Sequence, residues 1–113
     1  MSPHDRSTIR LGRIAHARSG DKGTGANVGV IVHSGKIYDL LRDQLTAERV
    51  ADYFRPSGVS GVERYELPNL QALNFVLKGA LGRITRVDAQ GKALGQAMLE
   101  MPVDVPAGLL PVD

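Results

Sequence analysis

The feature that most constrains the fold is a change of apolar period at Ser34-Gly35. Before it, Val28-Gly-Val-Ile-Val32 is a short β-branched run, the strongest strand signal in the chain. After it, Ile37, Leu40, Leu41 and Leu45 recur at the spacing of a helix with one apolar face, and Asp39, Arg42, Asp43 and Gln44 fill the other. Thr46 predicts an N-cap for a further helical piece whose apolar face is Val50, Tyr53 and Phe54 and which Pro56-Ser-Gly58 ends. Residues 36–55 are thus one bent helix or two short ones. A chain that alternates strand and helix signals this closely must lay helices on a sheet.

The remaining segments fill in that plan. Residues 1–7 are polar and read as a flexible N-terminus. Ile9, Leu11 and Ile14 suit a strand with one wet face, and residues 16–26 read as a loop. Val62-Glu-Arg-Tyr-Glu-Leu67 alternates cleanly until Pro68. The run from Leu70 to Leu77 fits either period; Ala72, Lys78, Ala80 and Leu81 extend the helical one, so the spacing predicts a helix over 70–81 capped by Gly82. Ile84 to Asp88 reads as a strand, 89–92 as a turn, and Ala93 to Met101 as a returning strand with helix as the alternative. Pro102, Pro106 and Pro111 make residues 102–113 an irregular tail beyond a single domain at 8–101. The sum is four to five strands and two to three helices with local connections. It predicts a two-layer α+β sandwich with a mostly antiparallel sheet.

Composition narrows the functions open to such a domain. At 113 residues the chain buries only a moderate share of its surface, which favours a homo-oligomer. With no Cys, disulfides, thiolate catalysis and sulfur-ligated metals are excluded. No stretch has the roughly 18–20 apolar residues of a membrane helix, and the N-terminus has no apolar targeting core, so a cytoplasmic protein with no membrane partner is expected. Residues 1–36 carry a net +4 and the rest a net −2. That bias, without a dense basic patch or interleaved aromatics, points to a small anionic partner and away from nucleic acid.

The positive half contains the segment richest in chemistry, His16-Ala-Arg-Ser-Gly-Asp-Lys-Gly-Thr-Gly-Ala-Asn27. Its glycine order and the strand that follows it match neither a Walker A loop nor a dinucleotide fingerprint, both of which open a helix. Three readings stay open. In the first, Gly20, Gly23 and Gly25 turn backbone N–H groups toward one anion, Arg18 forks onto a phosphate or carboxylate, Lys22 adds a point charge, and Ser19, Thr24 and Asn27 add donors. In the second, His16 is an acid/base with Asp21 orienting it or acting as a base itself. In the third, the segment is turn chemistry with no ligand.

His4, His16 and His33 are the only histidines of the chain and have no metal-ligand spacing. His16 and His33 meet only if their strands pair, with Asp21 as a third ligand, so neither a metal nor another cofactor is expected. Asn69 and Asn74 are polar among apolar neighbours and either reach a ligand or cap a turn. Glu63 and Glu66 have opposite strand parity and do not form a carboxylate pair. Met98 and Met101 suit the core or a subunit interface.

Several segments together carry a resemblance: Ile14-Ala-His-Ala-Arg-Ser-Gly-Asp-Lys-Gly23, Ala26-Asn-Val-Gly-Val-Ile31, Leu45-Thr-Ala-Glu-Arg-Val50, Arg64-Tyr-Glu-Leu-Pro-Asn-Leu70, Ala72-Leu-Asn-Phe-Val-Leu77, Gly79-Ala-Leu-Gly82 and Asp88-Ala-Gln-Gly-Lys-Ala-Leu-Gly-Gln-Ala97. Over about residues 8–101 the chain resembles the small ferredoxin-fold domain at the C-terminus of AtuA-type proteins of acyclic terpene utilisation. The resemblance implies a ferredoxin-like topology, without an iron–sulfur cluster because there is no cysteine. It implies a link to acyl-CoA metabolism and a role as an accessory small subunit beside a separately encoded larger AtuA-type partner. It carries over no catalytic residue. The family usually has an acidic residue where Thr24 stands here, which weakens a metal role and leaves the anion site. The expectation is a small subunit that binds an anionic ligand, such as an acyl-CoA, or a larger partner through residues 16–27. The alternatives are an enzyme using His16 and Asp21 on an acyl-CoA-type substrate, and a purely structural oligomerisation domain.

Overall fold

The period-two runs pair into an antiparallel sheet, and the 3.6-period runs cover one of its faces. The structure is a computed structural model that describes residues 6–22, 25–79 and 94–109, with the backbone alone for Arg6, Asp21 and Lys22. The strands are β1 (Arg6–Arg10), β2 (His16–Lys22), β3 (Gly25–Ile31), β4 (Gly61–Leu67), β5 (Ala72–Lys78) and β6 (Pro102–Pro106). The helices are α1 (Gly35–Gln44), α2 (Ala47–Phe54) and α3 (residues 94–99). Four strands form one sheet in the order β2-β3-β5-β4, every neighbour antiparallel, while β1 and β6 form a separate two-stranded sheet. From β3 to α3 the order is β-α-α-β-β-α, with β5 between β3 and β4; with α1 and α2 together filling the first helical connection, it is that of a ferredoxin-like α+β fold. The place beside β3 is taken by β2, and β6 pairs with β1 instead.

The core lies between the sheet and the helices. Ala26, Val28 and Val30 on β3 stand opposite Leu77, Phe75 and Leu73 on β5, and all six are buried. Ile37, Tyr38 and Leu41 of α1, Val50 and Phe54 of α2, Leu94 and Met98 of α3, and Met101, Val103 and Val105 join the cluster. Two helices form because each has its own start: Ser34 Oγ accepts from Ile37 N–H, and Thr46 Oγ1 from Arg49 N–H at 3.1 Å. Arg64, on β4, donates to the carbonyls of Arg42 and Leu45 at the end of α1, placing a cation where helix carbonyls lack partners. Gly58, at φ 93°, provides the left-handed position that closes the turn after α2.

Five expectations from sequence change. Residues 16–22 are strand rather than loop, since β2 pairs with β3 in register from His16↔Ile31 to Lys22↔Gly25, and the ladder outweighs the poor strand propensity of Ser19, Gly20 and Asp21. The helix expected over 70–81 is strand β5 at Ala72–Lys78: Leu73, Phe75 and Leu77 bury one face of a central strand. Residues 94–99 are helical rather than strand, because Leu94, Met98 and Met101 follow a helical spacing into the core. The tail begins with a strand, since Val103 and Val105 alternate inward and the prolines sit only at its two ends. The strand around Ile9 ends at Arg10, and Leu11–Arg13 turn as a 3-10 helix. The expectations for Gly82, 84–88, 89–92 and 110–113 lie outside the described residues.

Candidate functional site

Helices cover one face of the four-stranded sheet, and the register fixes what the other face presents. Three rows of residues run across it: His16, Ile31, Ala72 and Leu67; then Arg18, Gly29, Asn74 and Tyr65; then Gly20, Asn27, Val76 and Glu63. Gly29 sits in the middle of the second row with no side chain, between Arg18 and Asn74. Gly20 and Ala72 are small as well. The low floor they leave is a cavity of about 500 Å³, lined by Arg18 and Asn27 on one side and by Ile31, Leu67 and Leu70 on the other. That volume is of the size that holds small organic ligands.

The cavity is amphipathic. Leu67 is 41% exposed and Leu70 67%, a large apolar area for one rim. At the polar end the charges on the face are sorted. Lys78 Nζ pairs with Glu63 Oε1 at 2.8 Å, and Tyr65 Oη donates to Glu63 Oε2 at 2.9 Å. The hydrogen bond and the charge of Glu63 raise the Lys78 and Tyr65 pKa values. The Arg18 guanidinium, by contrast, makes no ion pair or hydrogen bond with any described residue. Asn27 Oδ1 is buried in the same region without a partner among the described residues. An amide there can turn either its oxygen or its nitrogen to a ligand.

The structure brings together some of the residues singled out from sequence. Arg18, Ser19, Gly20 and Asn27 all border the cavity. The Ser19 hydroxyl, however, lies toward α3: a Cβ added at Gly95 would meet Ser19 Oγ at 3.4 Å. Gly20 and Gly25 are extended strand residues without positive φ, so their amides do not converge as a nest; the smallness of Gly20 is what helps shape the cavity. Gly23, Thr24 and the side chains of Lys22 and Asp21 lie outside the described residues. His16 opens β2, and Asp21 pairs with Ala26 near its other end. Five residues of strand, about 16 Å of backbone, separate the proposed catalytic partners and give them opposite parity.

Gly29, Ile31, Leu67, Leu70 and Ala72 line the cavity without a signal in residue type, whereas Asn74 stands out as polar among apolar neighbours. Their signal was parity: once β5 is a strand, Ala72 and Asn74 share the face opposite Leu73 and Phe75.

No helix among the described residues is long and apolar enough to cross a membrane. The model of the AtuA ferredoxin-like domain matches residues 9–104 of the chain. Neither the curated proteins nor the solved structures provide a match. The family match spans the cavity-bearing sheet, its helical cover and most of β6, and with the strand order it is decisive: this chain belongs to the AtuA ferredoxin-like domain family.

Proposed function

We propose that this domain is a non-catalytic binding module for an amphipathic organic anion, an acyl carboxylate or acyl-CoA, held in the cavity on the open face of the sheet. The observation that supports this most is the Arg18 guanidinium, without an ion-pair partner among the described residues, beside a glycine-floored hollow whose opposite rim is Leu67 and Leu70. An anionic head takes Arg18 as a forked donor, Asn27 and Asn74 supply hydrogen bonds, and the chain of the acyl group covers Ile31, Ala72, Leu67 and Leu70. An acid/base role for His16 with Asp21 finds less support, because the strand holds them far apart.

The test is binding of octanoate, octanoyl-CoA, CoA and inorganic phosphate, by calorimetry and thermal shift. Octanoate and octanoyl-CoA are expected to bind, and CoA and phosphate more weakly for want of the apolar rim. A charge-assisted hydrogen bond is worth about 1.5–3 kcal/mol, so Arg18→Ala should weaken binding by about 10- to 100-fold. Leu67→Glu should weaken the acylated ligands and leave phosphate unchanged. Acyl ligands that fail to bind, or that bind Arg18→Ala as they bind the unaltered protein, would overturn the proposal. The exposed Leu67, Leu70 and Tyr65 would then favour a larger partner protein on the same face.

A further inference from the structure

His16 and His33 stand on different segments, yet the fold brings their rings side by side. Their ring centroids are 5.2 Å apart with the planes at 68°. The cause is the register: His16 is opposite Ile31, and His33 follows two residues later with the same parity. Both side chains are exposed. Both backbones are held. His16 is in the β2–β3 ladder, Val32 N–H donates to Gln71 O at 3.0 Å, and Ser34 caps α1. A cavity of about 290 Å³ opens beside the rings, bordered by Ala15, Ser34, Ile37 and Leu109.

We propose that His16 and His33 form a two-imidazole site for a divalent transition metal of the zinc, copper and nickel class. A metal 2.0–2.1 Å from one nitrogen of each ring lies about 3.2 Å from each centroid, and a tetrahedral angle then separates the centroids by roughly 5 Å. The observed 5.2 Å spacing of the centroids meets that requirement. Imidazole nitrogen selects this class of ion over calcium or magnesium, which take oxygen ligands. No cluster of three or more His, Cys, Asp or Glu exists among the described residues, so water or an added ligand completes the coordination. This site rests on the ring pair alone and stands or falls apart from the acyl-binding cavity.

The experiment is titration of tag-free protein with Zn²⁺ by calorimetry, and with Cu²⁺ followed by its visible absorption. One ion per chain is expected. Loss of even an outer-shell partner costs about 10- to 100-fold in metal affinity, so His16→Ala and His33→Ala should each weaken binding at least that much. Both residues are exposed, so both variants should keep the melting temperature of the parent. His4→Ala, which removes the third histidine of the chain, should leave binding unchanged. No binding at millimolar metal would make the rings an edge-to-face pair only and overturn the proposal. Binding that survives either His16→Ala or His33→Ala, or that vanishes in His4→Ala, would overturn it as well.

Discussion

The two faces of the four-stranded sheet have the same backbone and opposite chemistry. On the covered face, Val28 and Phe75 stand opposite each other, both fully buried, and Arg64 beside them reaches the carbonyl end of α1. On the open face, one residue along, Gly29 and Asn74 stand between Arg18 and Tyr65 and line a cavity instead of a packed core. Alternation at period two places stability and recognition in adjacent residues of the same strands. A one-residue slip of register would exchange them, so the apolar face fixes the geometry of the binding face.

The comparison breaks if the covered face does not carry the stability. Phe75→Ala should destabilise the domain by about 3–5 kcal/mol in urea unfolding. Val76→Ala, the next residue but on the open face and half-buried, should cost about 1 kcal/mol or less. Equal effects would mean that the open face is itself covered in solution. Arg64→Ala comes next. Its side chain is 19% exposed, bonds two carbonyls at the end of α1 and pairs with Glu66 at 3.2 Å. Its loss should cost about 1.5–3 kcal/mol, and if the C-terminal turn of α1 is what it holds, amide exchange should quicken there first. Thr46→Ala should cost about 1 kcal/mol, since Arg49 N–H loses its acceptor.

Sequence carried the covered face better than the open one. The helical period of α1 and α2, left open as one bent helix or two, the Thr46 cap and the alternation of β4 could be read because a single apolar period or a capping residue decided each. β5 could not, because Leu70, Leu73 and Leu77 fit a helix while Leu73, Phe75 and Leu77 fit a strand; pairing between β3 and β4 settles it, and pairing is non-local. β6 was hidden by its prolines, although Val103 and Val105 alternate between them. The candidate site was half visible. Arg18, Gly20 and Asn27 lie in one segment and drew notice by residue type, whereas Leu67, Leu70 and Ala72 reach the cavity only through β4, β5 and the turn between them. Mechanism was the harder part: Gly20 and Gly25, two of the glycines that suggested an anion nest, are extended strand residues.

The smallest expected change in stability is at Gly29, and it sharpens the contrast between the faces most. A Cβ built there would meet Asn74 Oδ1 at 3.7 Å and Arg18 O at 3.8 Å, ordinary contact distances, and the backbone is extended. Gly29→Ala therefore fits the fold. Replacing a strand glycine reduces the freedom of the unfolded chain, so stability should be unchanged or rise by up to about 1 kcal/mol. The same methyl raises the floor of the cavity between Arg18 and Asn74, where the head of an anionic ligand would lie. Binding of octanoate should weaken while the urea midpoint holds or increases. A residue that served only the fold would move both together, and a residue that served neither would move nothing. A gain in stability with a loss of affinity therefore separates a glycine kept for a ligand from a glycine kept for a turn.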